Sequence, residues 1–329
     1  MIKKSLKMIC LFLLISLVSG LIGSSSLIDL TGKNLNYPDK SIKIIVAYNP
    51  TDSCDAAARI LAKNMKKISG ADIQVVNLDG LEGQVGYKAI LDGNPDGYTI
   101  GVVNLSTLLC FITSEHNDLS IGNIIPLISF TQDREVLAVK NDNRFNGLDD
   151  FMSYAETHPK ELNIANSSYG DISHILAADL SYTARVEFTY VSFNGTGNMT
   201  EAVKRGFADG CVADLSDVEE GVKSGELKIL ASFSRSRLKE YPKIPTLYEN
   251  NYPIVFNPIK TVVIPNKTPG DIVEKLHYLI KETVESEDFI QDCKNFNIES
   301  NYMGPDETYI FMDKQYRFIK SIRNNIDLE

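Results

Sequence analysis

Two short stretches hold the residue types that could do chemistry. The first is Asn49-Pro50-Thr51-Asp52-Ser53-Cys54, preceded by Tyr48 and followed by Asp55 and, one helical turn on, Arg59. The second is Asn166-Ser167-Ser168-Tyr169-Gly170-Asp171, followed by Ser173 and His174. Each leaves a β-rich run, Ile42-Lys43-Ile44-Ile45-Val46 or Leu162-Asn163-Ile164-Ala165, and enters a helix-period segment. A loop that opens a helix aims unpaired backbone N–H groups outward and adds the positive end of the helix dipole. Two such junctions facing each other across a cleft would grip a small molecule.

A catalytic reading is also open at these positions, because Ser167, Ser168, Asp171 and His174 are close in sequence. The G-x-S-x-G elbow of an exported α/β hydrolase is missing, however, and the serines precede a helix instead of sitting on that strained turn. His174 is read instead as a helix-start histidine that fixes the loop by hydrogen bonding. His116, His158, His174 and His277 form no H-E-x-x-H pattern, and Gly195-Thr196-Gly197 lacks the third glycine of a dinucleotide fingerprint, Thr200 standing there. No catalytic residue, metal or cofactor is therefore expected. Tyr48 and Tyr169 could stack over a flat ligand or serve as lid or core.

The elements around these loops alternate. Strand-like runs fall at 42–47, 73–76, 98–103, 136–139, 163–165, 188–191, 227–231 and 261–264, with helix-period segments at 56–67, 85–91, 148–156, 175–184, 218–223, 272–283 and 307–322. Alternation of this kind predicts an α/β fold of two mixed, mainly parallel sheets flanked by helices. Asn94-Pro95-Asp96-Gly97 must turn before its strand, and Pro242-Lys243-Ile244-Pro245 closes the central run.

Bulk properties narrow the class. Lys3, Lys4 and Lys7, an apolar run from Met8 to Val18 and small residues from Gly20 to Ser26 follow the plan of a secretory signal, with an uncleaved anchor as the alternative. Cleavage around Gly20 to Ser26 would remove three positive charges and no acids, moving the formal charge from −10 to −13. Such an acidic chain does not hold nucleic acid through its general field. The mature chain is read as exported and soluble, its about 300 residues enough for two domains. Cys54, Cys110, Cys211 and Cys293 are widely spaced without a C-x-x-C pair, so mostly free thiols are expected, with one bridge allowed.

The first loop also carries a specific likeness. The run from Val46 to Arg59, with Pro50, Asp55 and Arg59, resembles the strand-loop-helix of the tripartite tricarboxylate transporter receptors, the Bug family of extracytoplasmic solute-binding proteins. Further landmarks follow in order: Tyr37-Pro38, Asn77 with Gly80, Gly83 and Gly86, Pro95-Asp96-Gly97-Tyr98-Thr99, Gly170 with Ser173-His174, Val191 then Gly195, Asp209, Gly225, and Pro242 with Ile244-Pro245-Thr246. The likeness covers about residues 37 to 322. It implies a two-lobed periplasmic-binding-protein-like (type II) fold that closes on a small solute like a Venus flytrap. Lobe 1 would comprise 27–135 plus 245–329 and lobe 2 136–244, with hinge crossings near Thr131–Val136 and Phe233–Pro245. It implies too a monomer that is not an enzyme, sits in the periplasm or at the extracytoplasmic face, and delivers its solute to the membrane permease subunits of a tripartite transporter.

In that family, backbone N–H groups of the first loop and of the loop that here is Asn166–Gly170 hold ligand carboxylates. Expected contacts are therefore Tyr48, Pro50, Thr51, Asp52, Ser53, Asp55, Asn166, Ser167, Ser168, Tyr169, Gly170, Ser173, His174 and Asp214. Of these, Asp55 is expected chiefly to hold the loop, paired with Arg59. The departures are acidic. Three loop glycines of the family are replaced by Thr51, Asp52 and Ser53, and Asp79, Glu82, Asp171 and Asp214 add carboxylates near the loops. Two carboxylates ~5 Å apart at an effective dielectric of ~20 repel by ~3 kcal/mol. A solute with fewer negative charges than citrate is expected, a zwitterion, a neutral amide or a cation, unless these acids merely cap helices. A solute sensor serving a signalling partner is the remaining alternative.

Overall fold

The computed structural model describes residues 37–325 apart from 51, 81–82 and 115–118. The signal-like segment 1–26, Thr51, Glu82 and His116 lie outside the described residues. In chain order the elements are β1 (Ile42–Val46), α1 (Ser53–Ser69), β2 (Ile73–Asn77), α2 (Gln84–Leu91), β3 (Thr99–Asn104), α3 (Leu105–Ile112), β4 (Ile124–Gln132), β5 (Glu135–Lys140), α4 (Leu148–Thr157), β6 (Asn163–Asn166), α5 (Ile172–Ala184), β7 (Thr189–Ser192), α6 (Thr196–Arg205), β8 (Gly210–Asp214), α7 (Leu215–Ser224), β9 (Leu227–Ser232), β10 (Ile259–Pro265), α8 (Gly270–Val284), α9 (Glu287–Asn295), β11 (Glu299–Met303) and α10 (Pro305–Asn325).

The strands form two sheets. One has six strands in the order β11-β4-β10-β3-β1-β2, the other five in the order β7-β6-β8-β5-β9. In the first, β1 runs parallel to β2 and β3, whereas β10 runs antiparallel to β3 and β4, as β11 does to β4. In the second, β6 is parallel to β7 and β8, while β5 is antiparallel to β8 and β9. The sheets are thus more evenly mixed than strand-helix alternation suggests, because the strands next to the crossings have no helical crossover between them. The chain passes from the first sheet to the second through Asp133-Arg134 and returns over 233–258.

Packing follows from the apolar faces. Helix α1 buries Ala57, Ala58, Leu61, Ala62 and Met65 on one side and lies against α8 and α9. Leu61 and Met65 are wholly buried, each worth about 2 kcal/mol in apolar area removed from water. Its outer side is tied to α9 where Lys63 (2.8 Å) and Asn64 (2.9 Å) donate to Asp292. Gly86 lets α2 approach β1, since a Cβ there would stand 2.5 Å from Ala47 Cα. In the second sheet, Leu137, Ile164 and Val212 face one apolar cluster with Phe151 and Leu176, and Val136, Ala165 and Cys211 face another with Met199 and Val218. All four described cysteines are buried and free.

Candidate ligand-binding cleft

The carboxyl ends of the parallel strands carry the helix starts, which is where open α/β sheets place their ligands. At the first junction Asp52 is the N-cap of α1, its Oδ1 accepting the Cys54 N–H at 2.7 Å. Asp55 is 1% exposed and accepts from Arg59 Nε and from Asn77 Nδ2, both at 2.8 Å. Asn77 also donates to the Tyr48 carbonyl and accepts from Arg59 Nη2, each at 3.0 Å. These bonds fasten the loop to β2 and occupy Asp55 inside the protein. The Tyr48 hydroxyl shares a hydrogen bond with that of Tyr87, and burial raises its pKa well above the usual range. Pro50 is exposed and Ser53 half-buried.

The second junction is knitted by Asp171, the N-cap of α5. Its carboxylate accepts from the Ser167 hydroxyl, from Ser173 Oγ at 2.7 Å and from the His174 N–H at 2.9 Å. Gly170, at φ 69°, donates its N–H to His174 Nδ1 at 3.0 Å. That bond makes Nδ1 the acceptor and Nε2 the protonated nitrogen. Burial first, then the Arg323 charge, hold His174 down to about 4. The Ser167 hydroxyl turns to Asp171 and His174 Nδ1 to a backbone N–H, an arrangement that positions a loop and not a nucleophile. Tyr169 is exposed at the rim, edge-on to His174 with ring centroids 5.4 Å apart. Asn166, wholly buried at the end of β6, leaves both carboxamide atoms without a hydrogen bond.

Two more helix starts adjoin these. Asp214 caps α7, accepting from the Ser216 N–H at 2.8 Å, and its other oxygen takes the Arg134 N–H at 2.8 Å. Asn104 caps α3, accepting the Thr107 N–H at 3.2 Å. Helix α10 reaches the second junction, where Arg323 donates to the carbonyls of Gly170 and, at 3.2 Å, Cys110.

Between the junctions lies charge that sequence reasoning missed. Lys260, 1% exposed on β10, forms an ion pair with Asp133 in the first crossing, and Asn104 Nδ2 donates to the same carboxylate at 3.2 Å. Burial opposes the Lys260 charge, but Asp133 and Asp214 outweigh it and keep its pKa above the ordinary value. Burial pushes Asp133 up to about 6 against the pull of Lys260. Glu135, 4% exposed, is raised well above the carboxylate range by burial and then by Asp214, Asp133, Asp217 and Asp171. Asp217, in the first turn of α7, is pushed up to about 8 by burial and by Asp214 and Asp52. Asp52 itself is raised, chiefly by burial, with Asp55 and Asp214 adding to it against Lys260 and the Cys54 N–H. The mutual influence of Asp52, Asp214 and Asp217 puts the first junction and the start of α7 within electrostatic reach of each other.

Two sequence signals could have exposed this cluster. Lys260 is a lone charge in the apolar strand Ile259–Pro265, and Gln132-Asp133-Arg134-Glu135 is a polar quartet between two apolar runs. A depression of about 290 Å³ lined by Lys40, Ser41, Gln74, Asp96 and Tyr98 lies at the opposite ends of the strands and has no part in the site. Asp79 is exposed and turns back onto the Gly80 N–H at 2.8 Å.

Two mixed sheets joined by two crossings, with helices starting at the carboxyl ends of their parallel strands, have the periplasmic-binding-protein fold. Residues 57–328 match the tripartite tricarboxylate transporter family receptor, and the chain belongs to that family, whose members are periplasmic solute-binding receptors and not enzymes. Protein BugT of Bordetella pertussis is 25% identical over 281 residues, which cover 84% of this chain and 86% of BugT. A TctC solute-binding protein from Polaromonas superposes with a TM-score of 0.73 at 23% identity, over 88% of this chain and 100% of that one. MatC from Rhodopseudomonas palustris, solved with bound malate, does so with a TM-score of 0.75 at 21% identity, over 87% and 99%. No helix among the described residues is long and apolar enough to cross a membrane.

Proposed function

We propose that this chain is an extracytoplasmic receptor that captures a small carboxylate-bearing solute between two lobes and hands it to the permease subunits of a tripartite transporter. Lobe 1 comprises 27–135 plus 245–329 and lobe 2 comprises 136–244, so that Asp133-Arg134 and 233–258 serve as the hinge segments. The observation that supports this reading is that α1, α5 and α7 each start where a strand, β1, β6 or β8, ends, so that backbone N–H groups, which suit a carboxylate, lie at the carboxyl ends of strands in both sheets. Malate in MatC supports the carboxylate class. Ser167, Ser168, Tyr169 and Gly170 contact the solute from lobe 2, and Tyr48, Thr51, Asp52 and Ser53 from lobe 1. Pro50, Asp55, Ser173, His174 and Asp214 shape the two loops.

The test is thermal denaturation of the exported protein against di- and tricarboxylates, amino acids, amides and polyamines. A solute at about 100 times its dissociation constant adds about 2.7 kcal/mol, a rise of about 4 °C for a chain of this size. A flat response across the carboxylate-bearing members would remove the reading.

A further inference from the structure

Asp52, Asp133, Asp214 and Asp217 lie within electrostatic reach of the buried Lys260, and Glu135 within reach of Asp133, Asp214 and Asp217. Three of them have work inside the protein. Asp52 takes the Cys54 N–H, Asp133 takes Lys260 and Asn104, and Asp214 takes Arg134 and Ser216 backbone N–H groups. Glu135 and Asp217 accept no hydrogen bond from any described residue, although one is 4% exposed and the other half-buried. Neither carboxyl is sealed from solvent, since the buried polar atoms without a partner among the described residues belong to Thr131, Asn166, His174, Ser232 and Arg323; Glu135 and Asp217 therefore front accessible space with their acceptor oxygens free.

A second observation points to a ligand at the same place. Asn166 is 0% exposed and both its carboxamide atoms are unpartnered. Glu135 pairs with Asp214 and Leu137 with Val212 across β5 and β8, and Ala165 pairs with Cys211 across β6 and β8. Asn166 therefore stands beside Val212, on the face of the sheet that also carries Glu135, and its amide points into the space that face shares with the start of α5. An ammonium has three N–H donors, and two carboxyls plus a carboxamide oxygen are acceptors of the right kind and number.

We propose that Glu135 and Asp217, with the Asn166 carboxamide, form a subsite for a positively charged nitrogen of the solute, so that the receptor takes an amino-bearing carboxylate in preference to its amine-free counterpart. This rests on the receptor reading above. Asp52, Asp171 and Asp214, the acids singled out from the sequence, cap helices, and the pair that takes the amine is Glu135 and Asp217. Binding releases protons, because a cation placed against carboxyls held protonated by burial favours their ionised form. Glu135 is faced by Asp133, Asp171, Asp214 and Asp217, and Asp217 by Asp52, Asp133, Asp214 and Lys260.

The experiment is isothermal titration of the exported chain with matched probes, aspartate against succinate and glutamate against glutarate, from pH 6 to pH 8. The amino-bearing member should bind at least about tenfold more tightly, the worth of one charge-assisted hydrogen bond. Its affinity should rise with pH with net proton release, and Glu135→Gln should bring the ratio towards unity while leaving the amine-free acid unchanged. Asp217→Asn, at a half-buried position in the first turn of α7, supplies the same readout should Glu135→Gln fail to fold. Equal affinities within each pair, an unchanged ratio in both variants, or amine-free acids that bind better as pH falls would overturn the proposal; the last would make the two carboxyls protonated donors to a carboxylate. If all four acids leave the protein untitrated while the tricarboxylates of the melting panel stabilise it, the receptor reading stands and this subsite falls.

Discussion

At the scale of single residues, the first loop is held by one triangle, Asp55, Asn77 and Arg59. Removing Asn77 as Asn77→Ala leaves a buried carboxylate short of a partner and frees the Tyr48 carbonyl. The expected cost is about 1–3 kcal/mol in urea denaturation, with weaker solute binding. A second consequence concerns pH. Asp217 stands at about 8 in the fold against an ordinary 3.8, so the folded chain keeps a proton that the unfolded chain has released between those values. Its stability contribution is complete at low pH and lost as pH climbs from 3.8 to about 8; Asp133 and Asp179, each raised to about 6, lose theirs by pH 6. His174, lowered from 6.5 to about 4, acts in the other direction, its contribution present above 6.5 and lost as pH falls to about 4. Melting curves should therefore show Asp217→Asn flattening the decline between pH 6 and 8 and His174→Gln flattening the decline below pH 6.5; unchanged slopes would contradict the assignments. The Asp55–Arg59 pair and the capping aspartates were legible in sequence because they act within one helical turn. Glu135, Asp217 and Lys260 were not, since what makes them matter is burial set by strands distant in sequence.

At the scale of elements, the second loop depends on α10. Arg323 holds the Gly170 carbonyl, and a Cβ on Gly170 would stand 2.8 Å from Arg323 Nη2 while the backbone stays at φ 69°. Gly170→Ala should lower stability by about 1–3 kcal/mol and weaken solute binding, whereas Arg323→Ala should weaken binding with a smaller loss of stability. Denaturant titration with calorimetry separates these effects; a Gly170→Ala protein equal to wild type in both would show that the contact is idle. Legibility at this scale follows local pattern. The amphipathic helices α1, α8 and α10 were readable from their period. Helix α3, Leu-Ser-Thr-Leu-Leu-Cys-Phe-Ile, is buried on nearly every side and gives no period to read. Strand β4 was obscured by Pro126, which sits where the β4–β10 register shifts, a position where a strand tolerates proline. Strand β8 is five residues without marked alternation, and β11 is polar and exposed at an edge.

At the scale of the whole molecule, two sheets share two connections, and the apolar cluster that holds Leu137 and Ile164 of the second also holds Ile45 and Val103 of the first. The fold class, with its mixed sheets, was legible because strand-helix alternation is written locally; which strands run antiparallel was not, because nothing in a strand's own sequence says which way its neighbour runs. Opening of such a clamp would disturb little of either sheet. Cys54 lies in the first turn of α1, 1% exposed, its thiol turned to the Val102 carbonyl at 3.4 Å, and no disulfide ties it down. The fold thus carries its own stopwatch. In a variant keeping Cys54 alone, the rate at which a thiol reagent consumes it counts how often the jaws part, and a solute at about 100 times its dissociation constant should slow that clock about a hundredfold.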